Sequence, residues 1–565
     1  MLVDLLTKQG EDLLARKETP WTVYPRPQMK RESYLNLNGC WEFLVNYENQ
    51  GQIMVPFCPE SKLSYIGQHY EEGSLLQYIR SFTLPAGFNR GRVILHIGAA
   101  DQRAEVFLNG KPVGSHKGGY EAFSMDITDA LRDNNRLSIC CFDDLTDQAY
   151  PYGKQVTPEK RGGMWYTPVS GVWQTVWLES VPDNYIRKLH IENRGYSVTI
   201  STEPKMDGRV MISGLGEFKL CDGSVTITPE KPHLWSPEDP YLYDFTVETA
   251  EDKVESYFAI RSLEIKKVGD YPRLCLNGKP YFFHGLLDQG YWPDGIFTPA
   301  KPECYAEDIL AMKKLGFNML RKHIKVEPEE FYYQCDKLGM VVFQDMVNNS
   351  DYNFLRDTAL PTVGVQKLDD HGLHQDERSR RAFLSAMEAT VNQLRNHPSI
   401  CYWTIFNEAW GQFDSDSVYE IFRQMDDTRF IDSTSGWFRR KKTDVDSRHV
   451  YFRKVKLRCD KKKPLVLSEF GGKTYKAEGH VFNPDKSYGY GGCDSLQALQ
   501  KAVKDLYMNE VLPCVKQGLC AAVYTQVSDV EDEINGLLTY DRKMEKLTPE
   551  TMLPVAEALQ KAIET

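Results

Sequence analysis

The sequence contains no apolar run of 18 residues, no Cys-x-x-Cys pair and no repeat of fixed period. The first absence argues against a membrane-spanning helix, and the second, with no suitable Cys/His spacing, argues against a zinc site. Thirteen cysteines cannot all pair, and several lie in apolar stretches such as "LSICCF" and "GLCAAVY", which is typical of small core residues. The first 21 residues carry Asp4 inside their only apolar patch, unlike a signal peptide. We therefore expect a reducing, cytoplasmic location.

Excess positive charge is also lacking. The chain has 68 basic and 79 acidic residues, a formal net charge of −11, and its basic stretch "RRKK" at 439–442 is short. This balance argues against nucleic acid as a partner. The apolar share of 41% and the charged share of 26% are typical of a soluble globular protein, and 565 residues exceed the size of a single core. We expect two to four domains.

Three regions with different patterns follow one another along the chain. Residues 1–182 contain short strands separated by Gly and Pro, with a hairpin signal at Asn109-Gly110, and they predict an all-β sandwich. Residues 183–265 continue with strands of the length and spacing of an immunoglobulin-like sandwich. In residues 266–565 apolar strands alternate with amphipathic helices, which predicts a (β/α)8 barrel. Its eight strands are expected near 281–284, 317–323, 340–345, 400–408, 430–434, 449–452, 464–469 and 519–525.

Two glutamates end apolar strands of this barrel. The fourth strand, "CYWTIFNEAW", ends in Asn407 and Glu408, and the seventh, "PLVLSEFGG", contains Glu469. Active sites of such barrels lie at the C-terminal ends of the strands, so both carboxylates are expected at one cavity. Such a pair suits glycoside hydrolysis, in which one carboxyl protonates the leaving oxygen and the other attacks the anomeric carbon. The alternative is that both glutamates are solvated or form structural ion pairs.

Other polar residues close neighbouring strands. Arg321 and His323 follow the second strand and Asp345 ends the third, and Arg321 is placed to keep Glu469 ionised. A metal site that uses Asp345 and Glu408 is a weaker alternative, because no histidine supplies a familiar ligand spacing. No phosphate-binding glycine motif or nucleotide site is present, so we expect no cofactor.

Several longer motifs carry a resemblance to a known family. "SYLNLNGCWEF", "VFLNGKPVGSHKGGYEAFSMDIT", "SGVWQTVWLE", "HLWSPEDPYLY" and "LNGKPYFFHGLLDQGYWPDG" together resemble the family 2 glycoside hydrolases, which include β-galactosidases, β-glucuronidases and β-mannosidases. The resemblance covers nearly the whole chain and implies a jelly-roll sugar-binding domain, an immunoglobulin-like domain and a TIM barrel. It implies Glu408 as acid/base, Glu469 as nucleophile, and sugar contacts from Asn407 and Tyr451. We add Asp288, in the barrel-entry motif, to the substrate-binding candidates.

The sequence departs from the family pattern at two positions. The second strand reads "RKHIK", whereas many relatives have Arg, two residues, then His, so His323 is expected to point differently. After the eighth strand relatives often place a tryptophan against the sugar. Tyr524 stands there in this chain, either as its substitute or as part of the barrel core.

The sugar is predicted from the charges expected around the cavity. The Asn-x-Lys motif of a β-glucuronidase is missing after the eighth strand, where the chain reads "VEDEINGLLTYDRKMEK". Basic residues crowd the predicted rim, and Lys322, Lys325 and Lys473 are our candidates for binding a sugar carboxylate, unless they are simply solvated. The sequence also resembles a bacterial branch that includes β-galacturonidases. We predict a retaining exo-β-glycosidase acting on β-galacturonides.

Several alternatives stay open. A neutral β-galactosidase or a β-glucuronidase is the alternative activity, and a non-catalytic carbohydrate-binding protein is the alternative class. The expected partner is a carbohydrate, without nucleic acid or membrane. A homo-oligomer is compatible with the family resemblance.

Overall fold

The computed structural model describes residues 2–362 and 369–564. The chain forms an N-terminal β-sandwich, an immunoglobulin-like β-sandwich and a barrel of eight parallel strands, in that order. The predicted fold class is thereby confirmed, while the boundaries at 182/183 and 265/266 stay predictions. Within these described ranges, no helix is both long and apolar enough to cross a membrane.

The N-terminal sandwich consists of two main sheets with strand orders β1-β12-β5-β9 and β3-β2-β4-β10-β7-β8, plus the small pair β11-β6. The alternation of Trp41, Phe43 and Val45 toward the core follows from the two-residue period of a strand. Asn109 and Gly110 have positive φ and join β7 to β8, as the hairpin signal predicted. The strands are β1 Leu35–Asn36, β2 Gly39–Val45, β3 Glu48–Val55, β4 Leu75–Phe82, β5 Arg92–Ile97, β6 Ala100–Asp101, β7 Arg103–Leu108, β8 Lys111–Lys117, β9 Phe123–Asp126, β10 Asn135–Phe142, β11 Gly171–Val172 and β12 Val176–Val181.

The immunoglobulin-like sandwich packs sheet β13-β14-β17 against sheet β16-β15-β18-β19 around a separate apolar core. Its strands are β13 Lys188–Arg194, β14 Ser197–Glu203, β15 Gly208–Ile212, β16 Gly216–Leu220, β17 Ser224–Ile227, β18 Tyr243–Thr249 and β19 Lys253–Phe258. Asn396 of the barrel region connects this sandwich to the barrel. Its Nδ2 donates to the Leu189 carbonyl at 2.7 Å, and its Oδ1 accepts from the Ile191 amide at 3.0 Å.

A small antiparallel sheet, β20-β21-β22, leads into the barrel, whose strand order is β27-β26-β25-β24-β23-β30-β29-β28. All eight predicted barrel strands are present, and the first lies two residues later than expected. The end strands β27 and β28 meet where Ser435 Oγ lies 3.0 Å from His449 Nε2. The bounds are β20 Leu263–Val268, β21 Tyr271–Leu276, β22 Lys279–Pro280, β23 Phe283–Asp288, β24 Met319–Lys322, β25 Val341–Asp345, β26 Ile400–Asn407, β27 Phe430–Ser435, β28 Asp446–Val450, β29 Leu465–Gly471 and β30 Leu519–Thr525.

Helices cover the outer face of the barrel, so its strands are buried on both faces and their sequences are almost continuously apolar. The longest helix, Glu377–Leu394, begins where the Asp376 side chain accepts from the Ser379 amide at 2.9 Å, a regular N-cap. The α-helices are α1 Lys8–Arg16, α2 Glu303–Lys314, α3 Glu329–Leu338, α4 Leu360–Thr362, α5 Glu377–Leu394, α6 Ser415–Met425, α7 Leu496–Leu506, α8 Leu512–Val515 and α9 Pro549–Ile563. Each of the thirteen cysteines is a free thiol, and most are buried, as the apolar context predicted.

The N-terminal sandwich extends a long connection over the barrel mouth. We call residues 143–170 the sandwich arm. On one side, Asn349 Nδ2 donates to the Ala149 carbonyl at 2.7 Å and the Tyr152 amide donates to the Asn348 carbonyl at 3.0 Å. On the other side, Glu531, in the segment after β30, pairs with Arg161 at 2.9 Å. The arm is therefore held at both edges of the mouth.

Candidate active site

The two predicted glutamates meet in one cavity at the C-terminal ends of the barrel strands. The cavity has a volume of about 270 Å³, and Glu408 and Glu469 both line it. One carboxylate oxygen of Glu408 lies within 4.8 Å of one of Glu469. This separation matches the short carboxyl spacing of retaining glycosidases, roughly 5–5.5 Å, and not the longer spacing of inverting enzymes.

The backbone at the end of β26 turns Glu408 into the cavity. Glu408 and Ala409 both have left-handed φ angles, +48° and +66°, which are uncommon for residues with a Cβ and occur at functional sites. The Glu408 amide donates to the Ser435 carbonyl at 2.9 Å, which holds this turn against β27. The Glu408 side chain is 14% exposed, and desolvation raises its pKa to about 7, against the lowering effects of Lys154 and Arg321. Glu408 therefore has the pKa expected of a general acid.

Glu469 lies in a denser set of donors. Arg321 Nη1 donates to its Oε1 at 3.1 Å and the Tyr451 hydroxyl to its Oε2 at 2.8 Å. Burial raises the pKa of Glu469 above its ordinary value, and the nearby Glu408 carboxyl adds to this rise, while Arg321 and the Tyr451 hydroxyl act to lower it. These two donors therefore favour its ionised form, and Arg321 lies where the sequence placed it.

His449 on β28 lies between the two glutamates, and sequence reasoning missed it. Its Nδ1 is 2.7 Å from Glu408 Oε1 and 3.6 Å from Glu469 Oε2, while its Nε2 faces Ser435 Oγ. Burial lowers the pKa of His449 to about 4, so the ring is neutral near pH 7. Gly436 makes room for the ring: its φ is +89°, and a Cβ there would lie 2.6 Å from the imidazole.

Arg321 organises the floor of the site. Its guanidinium bonds Asp345 Oδ1 at 2.9 Å, Asn407 Oδ1 at 2.9 Å and the Ser468 carbonyl at 3.0 Å, in addition to Glu469. The amide of Asn407 is thereby oriented with its buried Nδ2 left without a partner in the described part of the chain. Asn407 does not itself line the cavity, so its expected contact with the sugar stays a prediction.

His323 reaches the cavity wall despite its unusual spacing from Arg321. Its Nδ1 lies 2.9 Å from Asp345 Oδ2, and burial lowers the pKa of His323 to about 3, so it is neutral. Asp345 is not part of the cavity lining, because its two oxygens are taken by Arg321 and His323. Asp345 therefore positions these side chains, and the predicted direct contact with the sugar is not supported by its location.

The prediction that Lys322 and Lys325 lie on the cavity rim is wrong. Their side chains are 1% and 2% exposed, and both ammonium groups bind Glu327, at 2.9 Å. Lys322 also pairs with Asp288 at 2.7 Å, so Asp288 is a partner of that lysine and does not line the cavity. The error has a simple cause: these lysines point away from the mouth into a buried ionic cluster, where unpaired charges would be costly.

Two further predicted residues lie beside the cavity and not in its wall. Tyr524 is buried in the barrel core, and its hydroxyl accepts from the Lys473 amide at 3.0 Å. The Lys473 side chain lines a neighbouring groove together with Arg453. The predicted sugar contact of Tyr524 is thus contradicted by its position, and Lys473 lines the groove but not the cavity that holds the two glutamates. Tyr451 and Arg453 line both the cavity and the groove.

Much of the remaining cavity wall comes from segments that the sequence did not indicate. Trp410 lies two residues after Glu408, and an aromatic residue so soon after a strand that ends in a carboxylate is a signal that could have identified it. Residues from the sandwich arm and from the loops after β27, β29 and β30 also line the wall: Lys154, Met164, Trp437, Tyr488, Tyr490 and Glu533.

Glu408, His449 and Glu469 could also hold a metal ion, since one ligand atom from each lies within 4.8 Å of the others. The Asp345 and Glu408 pair suggested by the sequence does not form, because Asp345 is bound to Arg321. A cation on the triad would tie up both carboxylates, and Glu408 could then neither hold nor donate a proton. The donor set therefore fits acid/base chemistry better than a resident metal.

Comparison with known protein families agrees with this architecture. The family model described as "Glycosyl hydrolases family 2, TIM barrel domain" matches residues 267–550. A second model of the family matches residues 182–261, and its galactose-binding domain-like model matches residues 47–192. The chain belongs to glycosyl hydrolase family 2. The predicted family is thereby confirmed.

Individual relatives of this family 2 protein are distant. A β-galactosidase of Thermoanaerobacter pseudethanolicus is 22% identical over 70% of this chain, and the match spans about half, 53%, of that relative. The structure of a β-D-glucuronidase from Dictyoglomus thermophilum has a TM-score of 0.73 at 19% identity and covers 95% of this chain and 98% of its own. A family 2 β-galacturonidase from Eisenbergiella tayi, bound to galacturonate, has a TM-score of 0.68 at 19% identity and covers 96% of this chain and 99% of its own.

Proposed function

We propose that this protein is a retaining exo-β-glycosidase that works by double displacement. The observation that carries the proposal is the pair of glutamates with oxygens within 4.8 Å, of which Glu408 has a pKa raised to about 7 and Glu469 accepts hydrogen bonds from Arg321 and Tyr451. A cavity of about 270 Å³ is at the lower limit for small-molecule sites, roughly 300–1,000 Å³, which favours a single terminal sugar.

In the first step the Glu469 carboxylate attacks the anomeric carbon as the bond to the leaving oxygen breaks. Glu408 gives its proton to that oxygen, so the aglycone leaves as an alcohol. In the second step Glu408, now ionised, takes a proton from water, and the hydroxyl displaces Glu469 from the sugar. His449, neutral and 2.7 Å from Glu408, holds the acid/base in place through both steps.

For the sugar we propose a β-linked uronide, with β-D-galacturonide first. Arg453 at the cavity edge and the basic residues of the adjoining groove support an anionic substrate. The β-D-glucuronidase and the β-galacturonidase described above share the fold at 19% identity, which supports the uronide class without specifying the epimer.

A neutral β-galactoside is the second candidate, because one cavity residue favours it. Glu533 lines the cavity, and a carboxylate there hydrogen-bonds sugar hydroxyls but repels a sugar carboxylate. Its Oε1 already accepts from Asn535 Nδ2 at 3.0 Å and its other oxygen from the Tyr166 hydroxyl, which reduces that repulsion.

The test is a panel of nitrophenyl β-glycosides, the galacturonide, glucuronide, galactoside, glucoside and mannoside, with the first product anomer followed by proton NMR. We expect the galacturonide to be hydrolysed fastest and the β-anomer to form first. An α-anomer as first product would contradict the double displacement, and preference for the galactoside would favour the second candidate. Sugar binding by calorimetry without hydrolysis of any substrate would identify a non-catalytic carbohydrate-binding protein.

A further inference from the structure

Lys154 of the sandwich arm is a buried cation in the cavity wall without a carboxylate partner in the described residues. Its side chain lines the cavity, and the residue is 7% exposed. Its Nζ lies against the faces of Tyr166 and Trp410, 5.3 Å and 5.9 Å from the ring centroids. Aromatic faces attract an ammonium group but do not replace its hydration.

The other buried lysines of the chain show what such a group normally requires. In the described residues, Lys322, Lys325 and Lys546 are also buried, at 0–2% exposure, and each binds at least one carboxylate at 3.0 Å or less. A desolvated ammonium is costly unless it is paired and hydrogen-bonded. Lys154 is the exception among the four, and it lines the cavity that holds the two glutamates.

The position of this ammonium is defined by its neighbours. Lys154 Nζ lies 5.9 Å from the ring centroid of Trp410, two residues after Glu408, and this ring is 6.5 Å from that of His323, so the ammonium lies on the Glu408 side of the cavity. Its charge acts to lower the pKa of Glu408 and of His323. The other charged groups of the cavity wall are Glu469, Glu533 and Arg453. Lys154 could therefore bind an anionic group of the substrate inside the cavity, beside Glu408. Arg453, in contrast, is exposed at the edge of the cavity.

The sandwich arm places Lys154 rigidly. Gly153 has a φ of +66°, and a Cβ there would lie 3.0 Å from the Ile324 carbonyl and 2.8 Å from the Tyr120 hydroxyl, so only glycine allows this approach to the strand-two loop. The arm is also bonded to barrel loops on both sides of the mouth, as described above. The lysine is thus held before substrate arrives, which reduces the entropy cost of binding.

We propose that Lys154 is the specificity-determining residue that binds the carboxylate of the uronide sugar. The inference rests on the proposed glycosidase function and identifies which residue selects its substrate class. The ammonium group would donate charge-assisted hydrogen bonds to the carboxylate. A neutral sugar with a hydroxymethyl group in place of the carboxylate leaves the cation unpaired.

The test compares nitrophenyl β-galacturonide with nitrophenyl β-galactoside, which share a leaving group and differ at the carboxylate. Lys154→Met keeps the aliphatic stem and removes the charge, and Lys160→Met, an exposed lysine of the same arm, is the matched control. We expect the ratio of kcat/KM values, galacturonide over galactoside, to fall about 10- to 100-fold in Lys154→Met. This factor corresponds to the free energy of one hydrogen bond to a charged group. Lys160→Met should leave the ratio unchanged.

Equal losses on both substrates in Lys154→Met would overturn the inference, because they would mean that the lysine acts only through Glu408. Binding of free galacturonate and galactose by calorimetry separates this result from failure of the glycosidase proposal. If wild type hydrolyses neither substrate yet binds galacturonate at least about tenfold more tightly than Lys154→Met does, the inference stands and the proposed function fails. Equal affinities, or no binding to wild type, overturn it. Lys154→Gln gives the same comparison if the Met variant does not fold.

Discussion

The ionisation of Glu408 should be visible in stability as well as in activity. Burial raises its pKa from 4.5 to about 7, and the side chain is only 14% exposed, so solvent screening is limited. The difference corresponds to ~3 kcal/mol for ionising this carboxyl in the folded protein. Glu408→Gln keeps the shape of the side chain and removes the ionisation.

The sign of the effect follows from proton binding. Between about pH 4.5 and 7 the folded protein keeps a proton on Glu408 that the unfolded chain releases, so the contribution of this group to stability falls as pH rises. Glu408→Gln does not titrate. The variant should therefore gain stability relative to wild type across this window, by up to ~3 kcal/mol, and the gain should level off above about pH 7.

The measurement is the thermal melting of both proteins at a series of pH values through the window. The same carboxyl sets the alkaline limit of turnover, so wild-type kcat/KM should fall about tenfold per pH unit above about pH 7, where Glu408 loses its proton. In Glu408→Gln that limb should disappear, with a loss of about 10²- to 10⁴-fold on an alkyl glycoside and a smaller loss on a nitrophenyl glycoside. A difference in melting temperature between the two proteins that stays constant across the pH series would refute the assignment of this pKa to Glu408. An alkaline fall in kcat/KM that persists in the variant would refute it as well.

Three further substitutions test the rest of the site. Glu469→Gln should abolish turnover while the variant stays folded by circular dichroism, since it removes the nucleophile but keeps the shape of the side chain; measurable retained turnover would remove Glu469 from that role. Arg321→Met should cost about 3–5 kcal/mol of stability, because it leaves the buried carboxylates Asp345 and Glu469 without their cation, and an unchanged melting temperature would contradict the ion network. His449→Asn should lower kcat about tenfold or more with little change in KM, because it loses the 2.7 Å contact that holds Glu408. An unchanged kcat would mean that the backbone alone positions the acid.

The sequence by itself determined the barrel and brought out its two candidate catalytic glutamates. Strands buried on both faces must be continuously apolar, so a polar residue that closes such a strand stands out, and Glu408 and Glu469 were predicted in this way. The same argument placed Arg321 next to Glu469, a contact that the structure contains at 3.1 Å. Local periodicity carries this information because it reflects only which face of an element is buried.

Where a side chain points after its strand ends was decided by tertiary structure. Lys322 and Lys325 sit among the strand-end polar residues in the sequence, yet they turn into a buried cluster around Glu327, whereas Arg321 one residue earlier faces the catalytic centre. Lys154 shows the opposite case. It comes from a different domain, and only the packing of the sandwich arm over the barrel mouth brings it into the cavity beside Glu408. Neither outcome has a local signature, because both depend on charges and surfaces contributed by residues far away in the chain.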